Sequence, residues 1–149
     1  MNDKITIREA QETEITLIQE LVKEMATYER RPEDMTGTQE ELRYWLFERK
    51  IATILLMEYE SAPIGYAIYY PTFGSFAAHV HLEDLYIREE YRKRGLGRVF
   101  FEAIAGRAKE EGYAKMEWSC LDWNTPSIGF YEKIGAEYET GRKYFELSL

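Results

Sequence analysis

The chain has 149 residues, of which 45% are hydrophobic, 15% aromatic and 31% charged, with 10 Gly and 4 Pro. This composition excludes disordered, collagen-like and low-complexity classes and predicts a single domain over residues 1–149. A net charge of −8 argues against nucleic acid or anionic membrane as a partner and favours cationic ones.

The charge is unevenly placed. Residues 1–60 hold fourteen acidic and eight basic residues, a net −6, whereas Arg88–Arg98 holds five basic against two acidic residues, a net +3. Cys120 is the only cysteine, which excludes an internal disulfide or a cysteine-rich zinc site and fits a cytoplasmic protein. Met1-Asn2-Asp3-Lys4 leads into no apolar signal core, and no apolar run approaches the ~20 residues of a membrane helix.

Residues 4–8 alternate Ile5 and Ile7 with polar neighbours, which predicts a strand. From Glu12 to Thr27, Ile15, Ile18, Leu21, Val22 and Met25 recur at helical spacing. After a loop at Tyr28-Glu29-Arg30-Arg31-Pro32, Thr38-Gln39-Glu40-Glu41 forms a capping-box string that predicts a shorter helix through Leu42, Trp45 and Leu46. Ala52–Glu58, Ile64–Tyr70 and His79–Ile87 read as an antiparallel meander. Gly95-Leu96-Gly97 opens a helix with Phe100, Ala103, Ile104 and Ala108 on one face, ending near Gly112. Lys115–Leu121 reads as a strand, Thr125-Pro126 as the N-cap and first residue of a helix to Ile134, and Glu137–Thr140 and Lys143–Leu149 as two last strands. The order β-α-α-β-β-β-α-β-α-β-β predicts an α+β fold with one parallel crossover, between strands 79–87 and 115–121.

Arg92-Lys93-Arg94-Gly95-Leu96-Gly97 lies at that crossover. Unpaired N–H groups at a helix start, glycines and basic side chains suit a phosphate; an ordinary glycine turn under a solvated basic patch fits the same string. The local +3 in an acidic chain favours the phosphate reading. The string is neither a Walker A loop nor a dinucleotide fingerprint.

Three segments carry a resemblance: Leu82-Glu83-Asp84-Leu85-Tyr86-Ile87, Tyr91-Arg92-Lys93-Arg94-Gly95-Leu96-Gly97, and Trp123-Asn124-Thr125-Pro126 through Tyr131-Glu132-Lys133-Ile134-Gly135-Ala136. Together with Ile7-Arg8-Glu9-Ala10 and Tyr28-Glu29, they make the chain similar to the GCN5-related N-acetyltransferases, closest to the diamine (spermidine/spermine) and thialysine branch. The resemblance implies a mixed, mostly antiparallel sheet flanked by helices, with two parallel strands splayed around acetyl-CoA as co-substrate and no metal. It implies that Leu85, Tyr86 and Ile87 hold the pantetheine, that Arg92, Lys93, Arg94, Gly95, Leu96, Gly97 and Arg98 hold the pyrophosphate, and that Asn124 bonds the pantetheine arm. A plain cap or loop asparagine is the other reading of Asn124.

An alkyl amine arrives protonated, so a base must accept its proton before it attacks a thioester. Glu83 interrupts an apolar strand, where a carboxylate paired with a nearby cation and a functional carboxylate fit equally; the resemblance makes it the general base, acting through water. The resemblance makes Tyr131 the acid that protonates the leaving thiolate; a partly buried core tyrosine is the alternative. Tyr28, Glu29 and Glu83 then face the acceptor, against the alternative of a solvated acidic surface. Asp84 alternates to the opposite face from Glu83 and reads as structural. His79 and His81 share a face with Glu83 and read as neighbours of the amine rather than metal ligands, while Trp118 and Cys120 read as core.

The expected activity is acetyl transfer from acetyl-CoA to a small cationic amine, a di- or polyamine or a lysine-like amino acid, by direct attack in a ternary complex. A protein or peptide acetyltransferase and a non-catalytic acyl-CoA sensor are the alternatives. The expected assembly is a homodimer.

Overall fold

The structure is a computed structural model describing residues 3–149. Met1 and Asn2, part of the expected leader-free N-terminus, lie outside the described residues. The chain divides into two compact units, one ending at Ser119 and the other Cys120–Leu149.

The first unit is built on a five-stranded sheet in the order β1-β2-β3-β4-β5. The strands are β1 (Ile5–Glu9), β2 (Thr53–Tyr59), β3 (Ala62–Phe73), β4 (Ala78–Ile87) and β5 (Met116–Glu117). The first four pair antiparallel, and β5 pairs with β4 in parallel. The β2–β3 hairpin turns through Glu60 and Ser61, both with positive φ, the two-residue geometry that matches strand twist.

Helices cover both faces. On one lie α1 (Ile15–Tyr28) and α2 (Gln39–Arg43), the latter continuing as a wider π-helical turn over Tyr44–Glu48. The Thr38 hydroxyl accepts the Glu41 N–H and the Glu41 carboxylate accepts the Thr38 N–H, so the capping box forms. Ile18, Leu21 and Leu46 pack there against Ile54, Leu56, Tyr66, Ile68 and Tyr86. On the other face α3 (Leu96–Glu110) buries Leu96, Phe100, Ile104 and Ala108 against Leu55, Met57, Ala67, Tyr69, Val80, Leu82 and Ile87. The adjacent pair Leu55 and Leu56 sends one side chain into each core, as the period of two requires.

The second unit contains α4 (Thr125–Lys133), stopped at Gly135 with φ of 92°. Its N-cap is Asn124, whose side chain accepts the Ser127 N–H, so Thr125 is the first helical residue and Pro126 the second. This displaces the expected Thr125 cap by one position: the Asn124 side-chain oxygen, three residues before Ser127, takes the free N–H as an N-cap does.

Three expectations on the strands fail. The strand expected over 115–121 is only Met116–Glu117. Among the described residues no strand forms over 137–140 or 143–149, where Tyr138, Tyr144, Phe145 and Leu147 are exposed. Alternation alone makes no strand without a neighbouring strand to complete its hydrogen bonds. The expected simple alternation in β4 also breaks, at Glu83.

Candidate active site

Tyr69 pairs with Leu82 and Ile68 with Asp84, so Glu83 is an extra residue in β4, a β-bulge. Val80 and Leu82 before it, and Leu85 and Ile87 after it, all join the α3-side core. The residues between them, His81 before the bulge and Asp84 and Tyr86 after it, therefore face the α1 side. Asp84 thus lies on the α1 side, not on the face opposite the site where strict alternation would put it. Adjacent carboxylates, Glu83 and Asp84, come to one neighbourhood.

Their environments differ. Asp84 is half-buried and accepts a hydrogen bond of 2.9 Å from the Tyr66 hydroxyl, which also reaches the Met25 sulfur at 3.3 Å. Burial pushes the Asp84 carboxyl up to about 7, opposed by the Tyr66 bond and reinforced by the charges of Glu83 and Glu29. Glu29, at the C-terminal end of α1, is also raised, first by burial and further by Glu83, while Arg31 opposes. Burial likewise raises the Tyr66 phenol. Glu83 is exposed and accepts from the Tyr70 hydroxyl at 3.5 Å. Three carboxylates in mutual electrostatic contact, two of them partly desolvated, form a site that gains most from a cation.

A row of alternating acids and imidazoles continues from Glu83. His81 Nε2 is 3.2 Å from Glu83 and its Nδ1 3.7 Å from Glu117, and His79 Nε2 is 2.8 Å from Glu117. The His79 bond is the main reason that the Glu117 carboxyl lies below its ordinary value. The Tyr70 ring packs on the His81 imidazole with centroids 5.1 Å apart.

The β4–β5 ladder ends at His81 and Glu117, directly before the bulge. Among the described residues, the edge of β4 from Leu82 to Ile87 that faces away from β3 has no strand partner, so Leu85, Tyr86 and Ile87 lie on that edge. The Tyr86 side chain is buried, and its hydroxyl donates to Glu24. Arg92 donates through Nε to the Ile87 carbonyl at 2.7 Å and lays its guanidinium over the rings of Tyr28 (4.6 Å) and Tyr86 (5.3 Å). Beyond it Lys93 and Gly95 both take positive φ, 63° and 77°, turning the chain into α3. Leu96, Gly97 and Arg98 form the first turn of α3, where backbone N–H groups have no partner within the helix. Arg94 donates to the Glu90 carbonyl, Arg98 pairs with Glu102, and Arg88 pairs with Glu20 and Glu24.

In the second unit, Asn124 is buried and caps α4, and Tyr131 sits half-buried on that helix with its ring 5.3 Å from Phe130.

Asp84, Tyr66 and Tyr70 are absent from the residues picked out by sequence for this site. One signal was available: Val80, Leu82, Leu85 and Ile87 are spaced two, three, two, and the interval of three marks an inserted residue.

The profile described as the Acetyltransferase (GNAT) family matches residues 17–136. A thialysine N-epsilon-acetyltransferase from Bos taurus is 31% identical, over 89% of this chain and 84% of that protein. The L-ornithine N5-acetyltransferase NATA1 from Arabidopsis thaliana is 26% identical, over 88% of this chain and 78% of its own length. The crystal structure of an aminoglycoside acetyltransferase, meta-AAC0020, from an uncultured soil metagenomic sample superposes with a TM-score of 0.83 at 14% identity, covering 99% of both chains, a likeness of fold. With a central sheet of the same plan and relatives matched over most of its length, the chain belongs to the GNAT family of acetyltransferases and is an acyltransferase.

Proposed function

We propose that the chain transfers the acetyl group of acetyl-CoA to a primary amine of a small cationic acceptor, a di- or polyamine or a lysine-like amino acid, in a ternary complex. The observation that carries the reading is the carboxylate group Glu29, Glu83 and Asp84, with Asp84 raised to about 7. The relatives named for acetylating thialysine and ornithine, both small amino acids with a side-chain amine, support the same class. The family match runs through both units, which supports reading residues 1–149 as one acetyltransferase domain.

In this reading the ammonium group is drawn to the carboxylates beside Tyr28 and Glu29. Glu83 takes its proton through water, and the Glu83–Asp84 pair holds that proton because Asp84 titrates in the neutral range, where a general base works best. The amine lone pair then forms a C–N bond to the thioester carbonyl carbon. The edge of β4 at Leu85, Tyr86 and Ile87, without a strand partner among the described residues, supplies backbone partners for the pantetheine and a donor for the carbonyl oxygen. As the C–S bond breaks, the thiolate takes the Tyr131 proton. The turn from Arg92 through Arg98, with its N–H groups at the start of α3, suits the diphosphate, and Asn124 the pantetheine arm. A homodimer and a cytoplasmic location complete the proposal, the first supported by exposed Tyr138, Tyr144 and Phe145 and the second by a lone cysteine. Among the described residues, no helix is long and apolar enough to cross a membrane.

Release of CoA thiol from acetyl-CoA, followed across putrescine, spermidine, lysine, thialysine and an acceptor peptide, tests the activity. Thiol release with the small amines is expected; silence with them refutes the substrate class, and activity on the peptide alone replaces it with protein acetylation. Tyr131→Phe is expected to lower kcat about a hundredfold, the size of one general-acid contribution, and unchanged turnover removes Tyr131 from the mechanism.

A further inference from the structure

The Arg92 side chain, which the resemblance assigns to the pyrophosphate, is engaged elsewhere. Its Nε donates to the carbonyl of Ile87, the last residue of β4, at 2.7 Å, and its guanidinium lies over the rings of Tyr28 (4.6 Å) and Tyr86 (5.3 Å). Tyr86 is buried and tied to α1 by its bond to Glu24, so it forms a fixed floor under the guanidinium, whereas Tyr28 is 36% exposed. Tyr28 is the last residue of α1, a helix with no basic residue of its own in that turn. Glu29 follows directly, its N–H bonded to the Met25 carbonyl. The turn that leads into α3 thus reaches, through one side chain, the helix end that carries Tyr28 and Glu29.

We propose that the Arg92 side chain is a positioning residue for the acceptor amine, clamping Tyr28 and the last turn of α1 to the end of β4, and is not a ligand of the diphosphate. This rests on the acetyltransferase reading above and deepens it; the backbone of the turn keeps its place there. Swinging to a phosphate would cost Arg92 the Ile87 bond and both ring contacts together. The cavity of about 640 Å³ that Arg92 lines with Tyr28 and Tyr86 also offers a dianion no surplus of positive charge. Its acids Glu20, Glu24 and Glu89 balance Arg92, Lys23 and the Arg88 that pairs with two of them. Lys93, exposed on the same turn, and the N–H groups that open α3 remain for the phosphates. A guanidinium suits the clamp because its plane can stack on rings while its edge donates in that plane; an ammonium keeps the charge without that geometry.

The test separates the two ligands. Kd for CoA is measured by calorimetry, and kcat and KM are measured for the best acceptor among putrescine, spermidine, lysine and thialysine, in the wild type, Arg92→Lys and Arg92→Met. Both variants are expected to raise KM for the amine about tenfold and to keep Kd for CoA within about twofold of the wild type. Tyr28→Leu is expected to raise KM as Arg92→Met does, and the double variant to add less than about twofold, because each change removes the same contact. An unchanged KM in both Arg92 variants overturns the inference and leaves the acetyltransferase reading standing. So does a rise in Kd for CoA in Arg92→Met that Arg92→Lys restores, the mark of a charge held to phosphate, and so do fully additive losses in the double variant. Where Arg92→Met neither binds CoA nor keeps its Tm, Arg92→Lys decides by the same criteria. A wild type that binds CoA but releases no thiol with any amine refutes the catalytic reading. Binding of spermidine and thialysine to the CoA-bound protein then stands in for KM: a loss of about tenfold in the Arg92 variants supports the clamp, and no change, or no amine binding at all, overturns it.

Discussion

Asp84→Asn isolates the energetic cost of keeping a carboxyl at this site. The folded protein raises this group from the ordinary aspartate value of 3.8 to about 7, chiefly by burial. Between those values the folded state binds the proton more strongly than the unfolded state, so this group makes stability fall as pH rises from about 4 to about 7. Below that window both states are protonated and nothing is lost; above it the full penalty is present, on the order of 4 kcal/mol at 1.36 kcal/mol per pH unit. Asparagine has nearly the same shape, carries no charge and can still accept the Tyr66 hydroxyl. Urea unfolding of the wild type and the variant is followed from pH 4 to pH 9. The variant is expected to match the wild type near pH 4, to gain by about 1.4 kcal/mol for each pH unit up to 7, and to level off above. Taking the difference between the two proteins cancels the titrations not coupled to Asp84, including the oppositely signed ones of Glu14 and Glu117, both held low by partners. A difference that stays flat across this range refutes the burial argument and with it the neutral-range base. The stabilised variant is expected to lose turnover, because the carboxyl pair can then no longer hold the amine's proton.

Gly65 lies where a Cβ would collide with the Tyr86 carbonyl oxygen and press on Ile87, backbone that the β3–β4 ladder fixes. Gly65→Ala is expected to destabilise by about 3 kcal/mol in urea unfolding, and a loss below about 0.5 kcal/mol contradicts the close approach of the two strands. Asn124→Ala removes the side chain that accepts the Ser127 N–H. It is expected to cost about 1 kcal/mol, a fall of a few degrees in Tm, most of which Asn124→Ser restores; an equal loss in both variants refutes the capping role.

Local signals in the chain were readable where a single stretch decides the outcome. Thr38 and Glu41 form their capping box, Gly95 turns into α3 and Gly112 ends it with φ of 94°, and the helical repeat of Phe100, Ile104 and Ala108 becomes a buried face. What depended on a neighbour was not readable. Lys143–Leu149 alternates as well as β1 does, yet β1 has β2 beside it and, among the described residues, 143–149 has no ladder. The site failed for a related reason. Strict alternation sends Glu83 and Asp84 to opposite faces, and only the pairing of Ile68 with Asp84 and Tyr69 with Leu82 reveals that one residue is inserted. That insertion decides which carboxyl is buried against Tyr66.

The same dependence on neighbours changes what the charge distribution means. The acidity of residues 1–60 suggests a broad field drawing cations, but most of these acids have local work. Glu14 and Glu58 hold Arg8, Glu12, Glu40 and Glu48 hold Arg43, Asp34 holds Arg31, Glu60 holds Lys4, and Glu20 and Glu24 hold Arg88, the first residue of the basic segment. The +3 of Arg88–Arg98 is correspondingly reduced, since Arg98 is paired with Glu102. Exposed pairs of this kind contribute little energy and are screened by salt. Attraction for a cationic amine must then come from the few acids that burial leaves under-compensated, Glu29 and Asp84, with Glu83 beside them. Their interaction is short-ranged and weakly screened, so the affinity for the amine is expected to change little between 50 and 300 mM salt, measured as KM. A steep salt dependence would return the explanation to the net charge.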